Sequence, residues 1–292
     1  MSRPVTLLAV GTLVAALLTV SALLRPPPPL PQTTPTLAEA LEIFDKAFPI
    51  PDGVDPTSAF RLWSGDEEIC LIRGPGAGDL PERFAGHLYD LSRTFGLSLS
   101  PQVAERAVNC DHHETAIYVF LGANPGDMRI RQIMSYTLDT PGDQHGGDLG
   151  MALGFTQIYR PQQTIANPRP RIFVYSASDG TPIIDAPIQP QSIFLEEMLH
   201  ALTLIADFET EEMRSITGIV SRPDDYTDWY ETNARGYCVL DFVWLDLTLG
   251  KARPVTTDVQ AMRRTLVRTY PDLLRRAAHH RQALSHLADP RC

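Results

Sequence analysis

Residues 196–207 read EEMLHALTLIAD, and the first five of them decide how the chain is understood. Glu196 and His200 lie four positions apart, so a helical conformation stacks them on one face, a single turn apart. A carboxylate and an imidazole so placed are two donors to a metal ion. Glu197, next to the first donor, has the chemistry of a proton acceptor. The helix is expected to begin near Ser192, a good N-cap residue. A metal site needs a third donor. Asp207 is nearest, after a bend beyond Leu204; Asp241 and Asp246 are alternatives on a later helix. Acidic residues near a helix start are also favoured by its dipole alone. Glu197 and His200 have the Glu-x-x-His spacing of di-iron carboxylate sites, but these require a second copy, which the sequence lacks.

Working outward from the motif, Thr36 followed by Glu39 is a capping box that opens a short helix through about Phe48. Strand-like runs occupy 59–63 and 68–72. A glycine-rich loop, Gly74 to Gly78, leads to an amphipathic helix from Pro81 to Phe95 with the stripe Phe84, Leu88, Leu91 and Phe95, stopped by Gly96. A strand is expected over 115–122, a helix over 127–138, an exposed loop over 139–150 and a strand over 171–176. Beyond the motif, helices are expected over 227–249, 257–270 and 271–287.

The chain has 292 residues, 43% hydrophobic and 21% charged, an ordinary globular composition. Residues 5–24 carry no charge and are long enough to cross a bilayer, which takes about 20 residues. They are expected to be an uncleaved signal anchor or a signal peptide within 1–25; Val20-Ser21-Ala22 could serve as the cleavage site. Residues 26–36 are proline-rich and form an extended stalk. Either reading exports residues 37–250, the main domain, and 251–292, a basic helical extension. That extension carries nine Arg or Lys against three Asp, while the whole chain is at −10. The acidic body argues against nucleic acid as a partner. The basic extension could touch the body or an anionic membrane surface.

The four cysteines, Cys70, Cys110, Cys238 and Cys292, form no C-x-x-C. An oxidising compartment permits disulfides. Cys70 at the end of one expected strand and Cys110 before another make the favoured pair. The Gly74–Gly78 loop lacks the spacing of a dinucleotide fingerprint and has no phosphate-loop lysine. Asp111-His112-His113-Glu114 reads as a solvated turn and His87 as a partly buried histidine. His279, His280 and His286, among arginines, are expected to face water.

The motif is one residue short of the H-E-x-x-H helix of zinc peptidases, in which the i and i+4 residues hold the metal and the i+1 glutamate activates water. A short helix, a strand–helix–strand unit and an edge-like strand precede it, an order that resembles the compact zincin metallopeptidases. The metzincin branch reads H-E-x-x-H-x-x-G-x-x-H/D. Glu196 falls on its first ligand, Glu197 on the base, His200 on the second ligand and Thr203 on the turning glycine. Ala206 takes the third-ligand position, with Asp207 one residue later. The chain is also similar, over roughly residues 55–250, to a family of exported bacterial proteins of unknown function with an E-E-x-x-Q-x-L-G-L helix followed by an aspartate. Glu196, Glu197, Leu202, Leu204 and Asp207 fit that pattern, whereas His200 replaces its glutamine and Thr203 its glycine.

These resemblances imply an α+β, zincin-like domain with a small mixed sheet and a helical C-terminus, tethered to a bacterial inner membrane through residues 5–24 with its body in the periplasm, or soluble there after cleavage. They imply zinc on Glu196, His200 and Asp207, Glu197 as base, and a polypeptide substrate. A carboxylate in place of the first histidine makes the site more anionic and a bound water less acidic, so a weak or inactive metallopeptidase is expected. The alternative is a non-catalytic scaffold without cofactor that binds an envelope protein.

Overall fold

A computed structural model describes residues 34–48, 68–74, 76–106, 109–110, 115–121, 154–159, 171–176, 190–203, 205–220, 233–251 and 259–292. The expected membrane segment 5–24, most of the stalk, the strand at 59–63 and the segments 111–114 and 127–150 lie outside these residues. Among the described residues no helix is long and apolar enough to cross a membrane.

Helix α1, Leu37–Ala47, opens with the expected capping box: the Glu39 amide donates to the Thr36 hydroxyl at 3.3 Å, and the Thr36 amide to the Glu39 carboxylate at 2.7 Å. Strand β1, Glu68–Arg73, is an apolar run buried on both faces, as a parallel interior strand requires. Helix α2, Leu80–Phe95, buries the expected stripe and stops at Gly96, whose φ of 70° belongs to the left-handed region. Strands β2, Ser100–Ala104, β3, Thr115–Leu121, β4, Gly154–Tyr159, and β5, Arg171–Ser176, complete a sheet of order β2-β1-β3-β5-β4. All neighbours are parallel except β4, which runs antiparallel to β5 and forms an edge. Strand β5, the last before the motif, is therefore interior. Neither β2 nor β4 was expected.

The motif helix α3, Pro190–Thr203, packs against β4, β5 and α4, Val239–Thr248. Between α3 and α4 a short loop pairs β6, Phe208–Glu209, with β7, Gly218–Ile219. Helix α5, Val259–Ala283, lies across α4 and α1. The rings of Phe84 and Phe194 stack at 3.9 Å, joining α2 to α3, and Trp244 sits 5.9 Å from both Phe44 and Phe48, joining α4 to α1. Burying each such ring contributes ~1.5–3 kcal/mol, so one core unites sheet and helices. The architecture is α+β.

Several expectations need correction. Ser192 is inside α3, not its cap; its hydroxyl donates to the Arg235 carbonyl at 2.7 Å. Helix α4 starts at Val239; of the turns expected before it, 233–238 are not helical and 227–232 lie outside the described residues. The Asp241 carboxylate accepts the Cys238 amide at 2.7 Å and starts the helix there, while Tyr237 bridges to Ala288. The basic segment is a single helix through Pro271. The carbonyl that Pro271 leaves without a donor belongs to exposed Val267, on the watery side, where the loss is tolerated. His280 is not solvated: its ring packs on Phe95 at 4.4 Å and burial lowers its pKa. The basic segment meets the acidic body through Arg263 with Asp45 and Arg276 with Asp246. The disulfides join Cys70, in the middle of β1 rather than at its end, to Cys110, and Cys238 to Cys292.

Candidate metal centre

Helix α3 is apolar on nearly every side, which suits a central buried helix. From Ser192 to Thr203 all but two residues are buried; the two partly exposed ones are Glu196 and His200. The four-residue spacing thus opens one narrow polar window in an otherwise covered helix. Glu197, on the adjoining face, is 7% exposed.

The helix ends where the Thr203 hydroxyl donates back to the Leu199 carbonyl at 2.6 Å. Such a bond bends a helix and competes with its continuation. The same oxygen accepts the Ile205 amide at 3.4 Å, so threonine closes the turn where the resembling family has glycine. The chain doubles back, and the Ala206 amide donates to the Ala47 carbonyl at 2.8 Å at the end of α1. Asp207 is thereby returned over His200, with Oδ1 3.2 Å from Nε2. His200 Nδ1 donates to the Ile205 carbonyl at 2.7 Å. A backbone carbonyl on one ring nitrogen orients the other toward a ligand, the usual support of a metal-binding histidine.

One donor atom from each of Glu196, His200 and Asp207 lies within 4.8 Å of the others. Around a tetrahedral zinc ion, with bonds of about 2.0–2.2 Å, donors stand about 3.4 Å apart. The His200–Asp207 pair, 3.2 Å apart, already meets that spacing, and the Glu196 donor lies within 4.8 Å of both. Nitrogen with two carboxylates is a donor set that zinc accepts. The residues fit the ion.

The electrostatics show a site short of positive charge. Burial, then the neighbouring Glu197 carboxylate, pushes Glu196 well above the usual carboxylate range, opposed by His200. Burial resists a charge on His200, but its hydrogen bond to Asp207 and the charges of Asp207, Glu197 and Glu196 prevail and lift its pKa to about 9. Without a metal ion, protonated His200 is the counter-charge of this acidic cluster.

The alternative ligands do not take part. Asp241 is fully buried; it accepts the Ile216 amide at 2.9 Å, the Cys238 amide at 2.7 Å and the Ser215 hydroxyl. Burial raises its pKa to about 7, against the pull of those donors. Asp246 is 2% exposed and paired with Arg276. At the Gly74–Gly78 loop, Arg73 donates to the Gly78 carbonyl and pairs with Glu82. What the sequence did not reveal is the support: the Ile205 carbonyl and the Asp241 acceptor. The one available signal was an aspartate three residues after Cys238, the spacing of an N-terminal cap.

Comparison with known proteins finds no matching family model, no matching curated protein and no matching solved structure.

Proposed function

We propose that this chain is an exported, membrane-anchored, zincin-like protein that holds one zinc ion on Glu196, His200 and Asp207 and hydrolyses polypeptide weakly, with Glu197 as general base. The convergence of those three donors within 4.8 Å carries this reading. Supporting it are the antiparallel edge strand ahead of the motif helix and the carbonyl that orients His200. Two disulfides suit an oxidising compartment outside the cytoplasm.

Zinc in such a site polarises water and a peptide carbonyl. The chain's own residues do the rest. Glu196 and Asp207 neutralise the ion. His200 donates through Nε2 once its proton has left, while Nδ1–H stays on Ile205. Glu197, coupled electrostatically to both helix donors, takes a proton from water and returns it to the leaving amine. Two carboxylates and one imidazole around the ion would leave little net positive charge to acidify a bound water, so turnover would be slow.

One observation favours a silent variant that binds envelope protein without cleaving it: Glu197 is 7% exposed, a poor position for reaching water. Elemental analysis of the purified protein and its His200→Ala variant tests the metal; peptide hydrolysis by the zinc-loaded protein and its Glu197→Gln variant tests the base. One zinc per chain, lost in H200A, and hydrolysis lost in E197Q support the enzyme. Zinc without hydrolysis leaves the binding protein, and a zinc-free wild type overturns the metal centre and leaves the scaffold without cofactor.

A further inference from the structure

Asp207 reaches the site from a loop, yet its position is fixed on both sides. The preceding amide, Ala206, donates to the Ala47 carbonyl at 2.8 Å. The following amide, Phe208, donates to the Thr217 carbonyl at 3.2 Å, the first rung between β6 and β7. Thr217 is itself held: its amide donates to the Ser215 hydroxyl oxygen at 3.2 Å, and the two hydroxyls are 3.0 Å apart. Ser215 donates to Asp241, which also accepts the Ile216 amide at 2.9 Å. The oxygen that takes the Ile216 amide, Oδ2, also takes the Cys238 amide at the start of α4, where a disulfide to Cys292 secures the chain, while Ser215 bonds Oδ1. Ser215, Thr217 and Asp241 are each 0% exposed, so no water substitutes for these bonds.

We infer that Asp241 is a positioning residue for the metal centre: it grips residues 215–217 and through them the β6–β7 pair, setting where the Asp207 carboxylate stands. This rests on the proposed zinc site. A neutral asparagine that keeps its oxygen on the two backbone N–H groups turns its amide toward the Ser215 hydroxyl, which must then accept instead of donate, so the bracket is rewired and loses its charge-assisted bonds. Groups that support metal ligands typically change affinity 10–100-fold when altered. Asp246 supplies the control. It is the other buried aspartate of α4, it points to Arg276 on α5, and it has no bond to residues 205–219 among the described contacts.

The test is zinc affinity of the full chain by competition with a chromophoric chelator, with thermal melting in parallel, for wild type, Asp241→Asn, Ser215→Ala and Asp246→Asn. Asp241→Asn should weaken zinc by about tenfold or more, Ser215→Ala by a few-fold, and Asp246→Asn not at all, although both aspartate variants melt earlier. Cobalt(II) bound to Ser215→Ala should show shifted visible bands, because an Asp207 oxygen has moved. If Asp241→Asn does not fold, Ser215→Ala decides, since it keeps the carboxylate and its two backbone donors. Gly218→Ala adds an independent push: its Cβ would meet Ser215 O and Thr210 Cγ2 at 3.2 Å and Phe208 at 3.3 Å, and it too should weaken zinc. Wild-type affinity in Ser215→Ala and Gly218→Ala, or equal losses in Asp241→Asn and Asp246→Asn, overturns the positioning role alone. A wild type that takes up no zinc overturns the metal site itself.

Discussion

Two stretches build the candidate centre, and they do so in opposite ways. Helix α3 supplies Glu196 and His200 by periodicity: any helix through 196–200 stacks them. Residues 205–219 supply Asp207 without any regular element of length, by a chain of hydrogen bonds that ends on Asp241, more than thirty positions later. Half of the site is a property of local sequence. The other half is a property of the assembled fold, and is open to damage from residues that never approach the ion.

The sharpest way to break this comparison is to remove one donor from each stretch. His200→Ala and Asp207→Asn should each lower zinc affinity by about 100-fold or more, measured by chelator competition, while the folded state persists. Indifference of Asp207→Asn would leave the loop outside the site. The next effect is on the bracket's far end. Replacing Cys238 and Cys292 by serine should lower stability by about 2–4 kcal/mol in urea unfolding, for a bond that closes 54 residues. No change in midpoint would show that α4 needs no such fastening.

A third prediction concerns pH. In the metal-free protein His200 carries a proton at pH 7, because its pKa is about 9. That proton must leave before Nε2 can hold zinc. Apparent affinity should rise about tenfold per unit between pH 7 and 9 and then level off; a flat profile would rule out His200 as donor. The raised pKa also stabilises the metal-free fold below the ordinary value of 6.5, a contribution lost as pH rises through about 9. The smallest effect lies outside both stretches. Burial, with His286 and Arg83 nearby, holds His87 near 4, below its ordinary value. Its contribution is present above 6.5 and lost as pH falls toward 4, amounting to ~1 kcal/mol after allowance for partial exposure. His87→Gln should flatten acid unfolding by that much and leave zinc affinity unaltered.

Sequence made the strong periodic elements legible. The Thr36–Glu39 box, the Phe84–Phe95 stripe with Gly96, and the β-branched run at 171–176 each match an element to within a residue or two. It failed where tertiary contacts override local preference. Pro271 signals a helix break, yet α5 continues because the lost bond faces water. Helix α4 starts only at Val239, where Asp241 caps it and Tyr237 bridges to Ala288; the Cys238–Asp241 spacing was the one local sign of that start. Strand β2, with Pro101 inside it, survives because it occupies an edge of the sheet. Asp207 was legible as a donor by proximity alone; the threonine turn that brings it round was not.

The pairing of Cys238 with Cys292 also links distant parts of the chain. The bracket beneath the Asp207 loop begins at Cys238, and its fastening is a residue that lies beyond α5. Closing so wide a loop removes much of the unfolded chain's freedom. The clasp therefore ties the carboxylate-bearing half of the site to the last helix, whereas the donors of α3 depend on no such tie.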